Sequence, residues 1–228
     1  MGKRLFFGLV TLTIAFSWLS CGAPEKEDSR ISEGVITYSA ELVDISNSMA
    51  ELAPSKMTVK FKNNKTAVQM NAGMGILTLT FISNPESKTF TQMVKFTGNP
   101  SKAVIQNAEE IQKENELFNI EVIPTNQTKI IAGYKCKKAR IHYKGGEPID
   151  YDIYYTNELN INNSNFSNPY YKLDGVLMEY RIKKAGLEMQ FVATSVTKET
   201  VDDTTFEIPP DTKIITMEEL SEILTSFQ

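Results

Sequence analysis

The chain has 228 residues, with 24 Lys or Arg, 28 Asp or Glu, one histidine and a formal net charge of −4. A mildly acidic chain without a basic stripe argues against nucleic-acid binding, and a single histidine excludes a multi-histidine metal site. The length suits one domain with a sizeable core, and no motif calls for a cofactor or a metal ion.

The first 20 residues have the pattern of a secretory signal peptide. Lys3 and Arg4 precede an apolar run at residues 5–19, and Pro24 and a polar stretch follow soon after it. A membrane-spanning helix needs about 20 apolar residues, so this run is too short for a permanent span. The pattern therefore predicts export of the chain and removal of residues 1–20.

The end of this segment, Trp18-Leu19-Ser20-Cys21, resembles the lipobox of bacterial lipoproteins, with Trp18 where the common pattern has leucine. The resemblance implies that Cys21 becomes the first residue and that its sulfur carries a diacylglycerol. An ordinary signal peptide with an incidental cysteine is the alternative. Acyl chains would anchor the protein to a membrane, because each buried methylene contributes about 0.8 kcal/mol to the free energy of membrane binding.

Residues 21–32 are polar and lack an apolar period, which predicts a lipidated flexible tether ahead of a single domain at 33–228. Gly22 after the cysteine resembles lipoproteins that travel to the outer membrane. Within the tether, Lys26-Glu27-Asp28 resembles a short signal that some Gram-negative bacteria use for surface exposure. The predicted location is the outer membrane, with the periplasmic side and the cell surface both open.

The domain opens with a predicted strand at Glu33–Leu42 and a short helix at residues 44–52. Apolar alternation on both sides of Asn63-Asn64 then predicts a hairpin, since asparagine tolerates the positive φ of a two-residue turn. A second hairpin follows across a turn at residues 84–87. The predicted pairs are Val59 with Val68, Met57 with Met70, Phe81 with Phe90, and Leu77 with Val94.

Residues 101–118 have a helical period, because Val104, Ala108, Ile111 and Phe118 share one face. A strand then leads into the central hairpin, at residues 129–156. A three-residue loop at 145–147 places His142 opposite Asp150 and Arg140 opposite Asp152, with the apolar residues together on the other face. A bulge near Lys137 and Lys138 would absorb a change in the phase of the alternation.

The rest of the chain begins with a predicted long exposed loop at residues 157–169, rich in asparagine and serine. Residues 176–182 then face residues 187–193, with Arg181 opposite Glu188. A closing strand is predicted at residues 205–208. A final helix begins at a capping box of Thr216 and Glu219, followed by an apolar stripe.

About ten strands in successive hairpins and two amphipathic helices indicate a mainly β domain with some α-helix. A helix with a single apolar stripe must lie against the sheet. The simplest architecture is one strongly curved antiparallel sheet, an open half-barrel, with the helices packed on its concave face.

Three stretches carry a resemblance to a known family: IAGYKCKKA at 131–139, YYTNEL at 154–159 and FEIP at 206–209. Together with the leader they resemble a family of bacterial lipoproteins whose domain has no assigned function. Such proteins look like members of the LolA, LolB and RseB fold superfamily, whose half-barrel holds acyl chains or lipoprotein tails in an apolar cavity. This link concerns fold, which by itself does not carry function.

Three sequence features invite a catalytic or ligand-binding interpretation, and a structural one fits each better. Cys136 lies among three lysines that would lower a thiol pKa, but a small apolar strand residue is the simpler interpretation. His142 is expected to pair across strands with Asp150. The Gly73-Met74-Gly75 stretch lacks the lysine and the helix of a phosphate loop, which favours a bend before a strand. We therefore expect no enzymatic activity.

A ligand cavity is the functional hypothesis that remains, because flexible methionines adapt to irregular apolar guests. We expect a non-enzymatic, membrane-anchored module that binds a lipid or another apolar ligand between sheet and helices. The alternative is a scaffold lipoprotein that binds another envelope protein through a sheet edge or the 157–169 loop. The candidate cavity-lining residues are Met57, Val59, Met70, Leu77, Leu79, Met178, Tyr180, Met189 and Phe191.

Overall fold

The computed structural model describes residues 29–44, 53–144, 150–184 and 187–225. Within these residues the chain is mainly β, with 12 strands in one large mixed sheet that is not closed, and two helices. The helices are α1 (Ala108–Leu117) and α2 (Met217–Thr225). The strands are β1 (Glu33–Leu42), β2 (Lys56–Lys62), β3 (Lys65–Ala72), β4 (Leu77–Asn84), β5 (Thr89–Phe96), β6 (Lys102–Gln106), β7 (Ile120–Ile131), β8 (Tyr134–Tyr143), β9 (Asp150–Thr156), β10 (Val176–Lys184), β11 (Leu187–Thr197) and β12 (Lys213–Ile214).

The strands lie in the order β12-β6-β5-β4-β3-β2-β1-β11-β10-β9-β8-β7, so β12 and β7 form the two edges. The first strand lies in the middle, because β1 pairs with β2 on one side and with β11 on the other. Neighbouring strands are antiparallel except at one edge, where β12 runs parallel to β6. The prediction of one sheet is confirmed, and the prediction that it is purely antiparallel is wrong at this pair.

Alternation along the strands gives the sheet a continuous apolar face, which carries Ile36, Tyr38 and Ala40 of β1. Residues directly opposite one another in the ladder share a face, so this one continues through Val59 on β2 and Phe191 on β11. The strand predicted at Glu33–Leu42 is therefore confirmed, and the structure shows that it buries the side of Ile36, Tyr38 and Ala40.

Two predicted hairpins have the predicted register. Asn63 and Asn64 both adopt a positive φ, 49° and 65°, and they join β2 to β3 in the expected pairing. In the central hairpin, β8 and β9 pair with His142 opposite Asp150 and Arg140 opposite Asp152. Opposed charges on one face and apolar residues on the other select this register, because a one-residue slip would exchange the faces.

Two other hairpins pair two residues away from the predicted register. In the β4–β5 hairpin Leu77 lies opposite Phe96, because β4 continues to Asn84, whose side-chain oxygen accepts hydrogen bonds from the following backbone N–H groups at 3.1 and 3.3 Å. In the β10–β11 hairpin Arg181 lies opposite Gln190, because the ladder extends to Lys184. A shift of two residues keeps every side chain on its own face, so the apolar alternation is satisfied by either register.

The register shift expected near Lys137 and Lys138 lies in the neighbouring strand pair. The β8–β9 ladder runs without interruption, whereas the β7–β8 ladder shifts between Pro124 and Thr128. The extra residues are therefore in β7. There the Thr125 hydroxyl donates to the Lys138 carbonyl at 3.1 Å and holds the bulge against β8.

The helix predicted at residues 101–118 is wrong in its first third, where β6 pairs with β5. Helix α1 begins only at Ala108, because Asn107 caps it by accepting from the backbone N–H groups of Glu109 and Glu110. The Glu110 carboxylate in turn accepts from the Asn107 backbone N–H at 2.8 Å, which completes a capping box. The capping signal, and not the apolar spacing, determines where this helix begins.

At the C-terminal end, the closing strand predicted at residues 205–208 is wrong. Residues Asp203–Phe206 form a short 3-10 helix, started by Asp202, which accepts from the Thr204 backbone N–H. Phe206 and Ile208 then pack on the other side of the sheet from the apolar face, against Ala67, Ile82 and Met93. The capping box of the last helix is confirmed, since Thr216 and Glu219 exchange hydrogen bonds of 2.8 and 3.2 Å.

The 157–169 loop is not the exposed loop predicted from its composition. Leu159, Ile161 and Asn165 are buried, and Tyr170 just after the loop is fully buried. Asparagine side chains form hydrogen bonds with nearby backbone groups. The Asn165 amide donates to the carbonyls of Leu173 and Gly175 at 2.9 and 2.8 Å. Residues 157–175, which we name the covering segment, therefore pack as part of the core.

Four predictions lie outside the described residues: the signal peptide, lipidation at Cys21, the helix at 44–52 beyond Asp44, and the three-residue loop at 145–147. The same holds for most of the tether at 21–32. Among the described residues no helix is long and apolar enough to cross a membrane.

Candidate ligand groove

An apolar groove of about 390 Å³ lies on the apolar face of the sheet. Its floor comes from β3, β4 and β5, where Val68, Leu79 and Phe81 are only partly buried. The volume falls within the range of about 300–1,000 Å³ that is typical of small-ligand sites. Partly exposed apolar side chains in a concavity gain free energy when an apolar guest removes them from water.

The two helices bound the groove at different places. Leu220 and Leu224 of α2 line it and pack in one cluster with Val94, Leu79 and Phe96. From α1 it is lined by Glu114 and Asn115, and by Phe118 just after the helix. One wall is therefore aliphatic, and the other combines two polar side chains with an aromatic ring.

Seven of the nine residues predicted to line the cavity border the groove, and two do not. Val59 and Met178 lie in the main packed cluster, in which Met178 is fully buried. Met57, Met70, Tyr180, Met189 and Phe191 belong to the same cluster but also border the groove. Ligand binding by any of them stays a prediction. The predicted residues that border the groove are Met57, Met70, Leu77, Leu79, Tyr180, Met189 and Phe191.

Strands that are not neighbours meet at the groove. Tyr180 of β10 places its hydroxyl 3.8 Å from the sulfur of Met57 on β2, and its ring stacks on Phe191 at 5.3 Å between centroids. Burial raises the pKa of Tyr180 far above its ordinary value of 10.0, so the phenol stays neutral at physiological pH. Tyr180 thus forms the boundary between the groove and the packed core beside it.

Polar side chains collect at one end of the groove. On β4 the groove-facing residues run Leu77, Leu79, Phe81 and Ser83, so the strand changes from apolar to polar along its length. The buried Ser83 hydroxyl lies 3.0 Å from the hydroxyl of Ser167 in the covering segment. This end of the groove therefore offers hydroxyl groups, whereas the described side chains at the opposite end, such as Leu77 and Phe96, are apolar.

A chain of side-chain hydrogen bonds continues this polar end into α1. The Gln92 amide donates to Gln106 at 2.7 Å, and the Gln106 amide donates to the Glu114 carboxylate at 2.8 Å. Both glutamines are nearly inaccessible to water, at 2% and 5% exposure. Buried side-chain amides destabilise the fold unless they are hydrogen-bonded. This series of hydrogen bonds therefore fixes the orientation of both glutamine side chains.

Sequence reasoning missed these polar residues, although a signal for them was present. Gln92 interrupts the apolar alternation of β5 between Phe90 and Val94, and Ser83 interrupts that of β4 in the same way. A polar residue at a buried strand position is more informative than the apolar residues around it. The groove residues Val68, Phe81 and Phe90 lay on the predicted apolar face.

Cys136 lies away from the groove and is fully buried in the main core. Burial raises the pKa of its thiol from 9.0 to about 11, opposite to the shift that would activate a nucleophile. The Sγ atom donates to the Tyr134 carbonyl at 3.4 Å. These contacts fit the packing role expected for this residue.

The other two chemical candidates also have structural roles. His142 Nδ1 lies 2.7 Å from the Asp150 carboxylate, the cross-strand partner expected for it. Gly73–Gly75 forms a single 3-10 turn with Met74 at φ 54°, a bend before β4 as predicted. Among the described residues, no group of three or more His, Cys, Asp or Glu is placed to hold a metal ion.

The fold defines a mainly β protein with one large open sheet and a groove on its apolar face. It is similar to PNGF-II, whose structures in two crystal forms match 85% of this chain with TM-scores of 0.55 and 0.54 and 17% sequence identity. The chain spans only about a third of PNGF-II, 33% and 32% of its length. At this identity the similarity shows a shared fold and nothing about activity.

A second solved structure, LprF from Mycobacterium bovis, matches 75% of this chain and 88% of its own length, with 13% identity and a TM-score of 0.31. A TM-score this low does not establish a common fold. No protein-family model matches the chain, and no curated protein matches it. The family resemblance of the three sequence signatures therefore stays a prediction.

Proposed function

We propose that this chain is a non-enzymatic, lipid-anchored protein of the bacterial cell envelope that binds a lipid or another apolar ligand in the groove. The observation that carries this proposal is the groove itself, in which apolar side chains such as Leu79 and Phe81 are only partly buried. The lipobox-like sequence at Cys21 supports the anchor and the envelope location. Membrane attachment would keep the groove close to a supply of amphiphiles.

We propose further that the sheet is strongly curved, with the helices on its concave side. The contact between Tyr180 and Met57 supports this shape. Two strands, β1 and β11, separate β10 from β2. In a flat sheet the spacing between strands would keep their backbones about 14 Å apart.

The test is native mass spectrometry of protein purified without residues 1–20. We expect a co-purifying amphiphile, and we expect Leu79→Glu to lose it because a charge in the groove opposes an apolar guest. Ile105→Glu is the matched control, since Ile105 is an exposed strand residue that does not line the groove. Only the unliganded mass in several independent preparations of the unaltered protein would overturn the proposal.

A second candidate function is a scaffold that binds another envelope protein through a sheet edge. The observation in favour is β7, a 12-residue edge strand on which Ile123 and Ile130 are exposed. An exposed edge presents unpaired backbone groups to which another chain can add a strand. A photo-crosslinker at position 130 that traps one partner in cells, together with an empty groove, would favour this function over ligand binding.

A further inference from the structure

A turn at one end of the groove exposes two large apolar side chains. It joins β3 to β4 through Gly73-Met74-Gly75-Ile76, and we name these four residues the tip turn. Met74 is 95% exposed, the largest fraction among the large apolar residues that the structure describes, and Ile76 is 57% exposed. Side chains this far out in water add little to the core, so their position favours a contact outside the fold.

The backbone of the tip turn holds Met74 outward at a cost. Met74 adopts φ 54° and ψ 31°, the left-handed conformation, which costs a residue with a side chain roughly 1–2 kcal/mol. The backbone N–H of Thr97 donates to the Ile76 carbonyl at 2.9 Å, and its hydroxyl donates to the Gly75 carbonyl at 3.2 Å. Glycine or asparagine would form this turn with less strain, so the methionine favours a role for its side chain.

The tip turn is continuous with the groove. Gly73 and Ile76 line the groove, together with Leu77 at the start of β4. Ile76 therefore belongs both to the groove lining and to the exposed surface. A partner that covers the tip turn also reaches this end of the groove.

The size of the exposed apolar surface distinguishes between kinds of partner. A specific protein–protein interface buries about 1,200–2,000 Å² in total, and one methionine with one partly exposed isoleucine supplies only a small part of that area. A lipid bilayer needs no complementary pocket, because each methylene that leaves water for its interior contributes about 0.8 kcal/mol. The tip turn therefore fits a lipid surface better than it fits a second protein.

We infer that the tip turn inserts Met74 and Ile76 into a lipid bilayer and so brings one end of the groove against the membrane. The inference rests on the lipid anchor proposed above, because two apolar side chains bind a bilayer weakly by themselves. An anchor at Cys21 keeps the tip turn at a high local concentration beside the bilayer, so weak insertion is enough. An apolar ligand then passes between bilayer and groove without crossing bulk water.

The geometry of the tether allows the anchor and the tip turn to reach the same bilayer. Arg30 donates to the Asn157 carbonyl at 2.9 Å and Ile31 bridges to Leu159, so the described chain begins beside the covering segment. β1 begins opposite the end of β2, just before β3 starts, and the eight residues of β3 separate this end from the tip turn by about 25 Å. Residues 21–29 can span up to about 30 Å when extended, which exceeds that distance.

The experiment uses the full chain, expressed with its leader and reconstituted into nanodiscs of phosphatidylglycerol and phosphatidylethanolamine. The methionine methyl groups carry ¹³C, and a spin-labelled lipid in the bilayer broadens the NMR signal of any methyl group close to it. Loss of one signal in Met74→Leu assigns the Met74 methyl group. Leu117→Met is the matched control, since Leu117 is 76% exposed at the end of α1 and lies outside the groove lining.

We expect the Met74 signal to broaden several-fold more than the signal that Leu117→Met adds, and the signal of the buried Met178 to broaden least. Ile76→Asp should remove most of the broadening at Met74, because a carboxylate opposes entry into the bilayer. Ile105→Asp should leave the broadening unchanged, since Ile105 is exposed on β6 and lies outside the tip turn and the groove lining.

This inference and the function proposed above fail in different ways. If Met74 broadens no more than the signal added by Leu117→Met, or if Ile76→Asp leaves its broadening unchanged, the tip turn does not enter the bilayer, while a co-purifying amphiphile would still support the groove. If Met74 broadens but no amphiphile co-purifies, membrane contact stands and ligand binding falls. If the full chain does not bind the nanodiscs at all, the anchor and this inference fall together.

Discussion

On β8 and β9, Ala139, Ile141 and Ile153 are fully buried, whereas Val68 and Leu79 on β3 and β4 are only partly buried. Both sets lie on the apolar face, and both alternate with polar neighbours in the same way. The difference is what lies above them. The covering segment places Tyr170 in the core over β9 and β10. The groove is bordered by two short helices and by Ser164 and residues 167–169 of the covering segment, which together leave its floor partly exposed.

This contrast shows how one kind of sheet surface serves two purposes. Where the chain supplies its own cover, apolar side chains become a core that stabilises the fold. Where the cover is incomplete, the same kind of side chain keeps a hydration cost that a ligand can remove. Tyr180 lies at the boundary, since its ring contacts Tyr170 on one side and Phe191 beside the groove on the other.

The largest expected effect is the difference in unfolding free energy between two truncated variants, one in the covered region and one in the groove. Ile141→Ala should lower the free energy of unfolding by about 2–5 kcal/mol, because it leaves a cavity in a fully buried site. Leu79→Ala should cost less than half as much, because its side chain already faces the open groove. Urea unfolding of both variants measures the difference. Equal losses would mean that the groove region is packed as tightly as the covered one.

A smaller effect should follow from removing one hydroxyl of the covering segment. The Tyr170 hydroxyl donates to the Arg181 carbonyl and lies 3.0 Å from the Tyr151 hydroxyl. Tyr170→Phe leaves these buried groups without that partner and should cost about 1–2 kcal/mol of unfolding free energy. Tyr171→Phe, at a partly exposed neighbour, should change it by less than about 0.5 kcal/mol. Similar values for the two would show that the covering segment is held by apolar contacts alone.

The smallest effect concerns alkaline pH and the core cysteine. Burial raises the pKa of the Cys136 thiol from 9.0 to about 11, so the unfolded chain releases this proton at a lower pH than the folded one. The stability that depends on it is present below about pH 9 and is lost as the pH rises toward 11.

Unfolding measured across this pH range, in a chain that carries Cys21→Ser, should show a weaker alkaline loss of stability when Cys136→Ala is added. The neutral thiol should also react slowly with alkylating reagents at neutral pH while the chain is folded. Fast labelling of the folded chain would contradict the burial of Cys136 and reopen a catalytic role.

Local sequence signals predicted the elements whose own side chains determine them. The Asn63-Asn64 turn, the Thr216 and Glu219 capping box and the pairing of His142 with Asp150 all follow from chemistry within one hairpin or one helix turn. The two hairpins with the wrong register lacked such a constraint. A slip of two residues preserves every side-chain face, so alternation by itself does not distinguish the two pairings.

The first third of the helix predicted at residues 101–118 failed for a different reason. Val104 and Ala108 have a spacing that suits a helix, but the backbone of residues 102–106 pairs with β5. Ala103 and Val104 are both buried although they point to opposite faces of the sheet, because residues near Phe206 cover one face and α2 covers the other. Contacts between distant parts of the chain override a local period in this way.

The sequence by itself determined that this chain forms hairpins with one apolar face, because side chains alternate along any strand whatever surrounds it. Only the tertiary structure decided which part of that face is sealed and which part is a groove. The covering segment and the two helices come from distant parts of the chain, and their placement depends on contacts such as the one between Ser167 and Ser83. Apolar alternation is the same beneath a cover and beside a cavity, so alternation by itself does not distinguish the two.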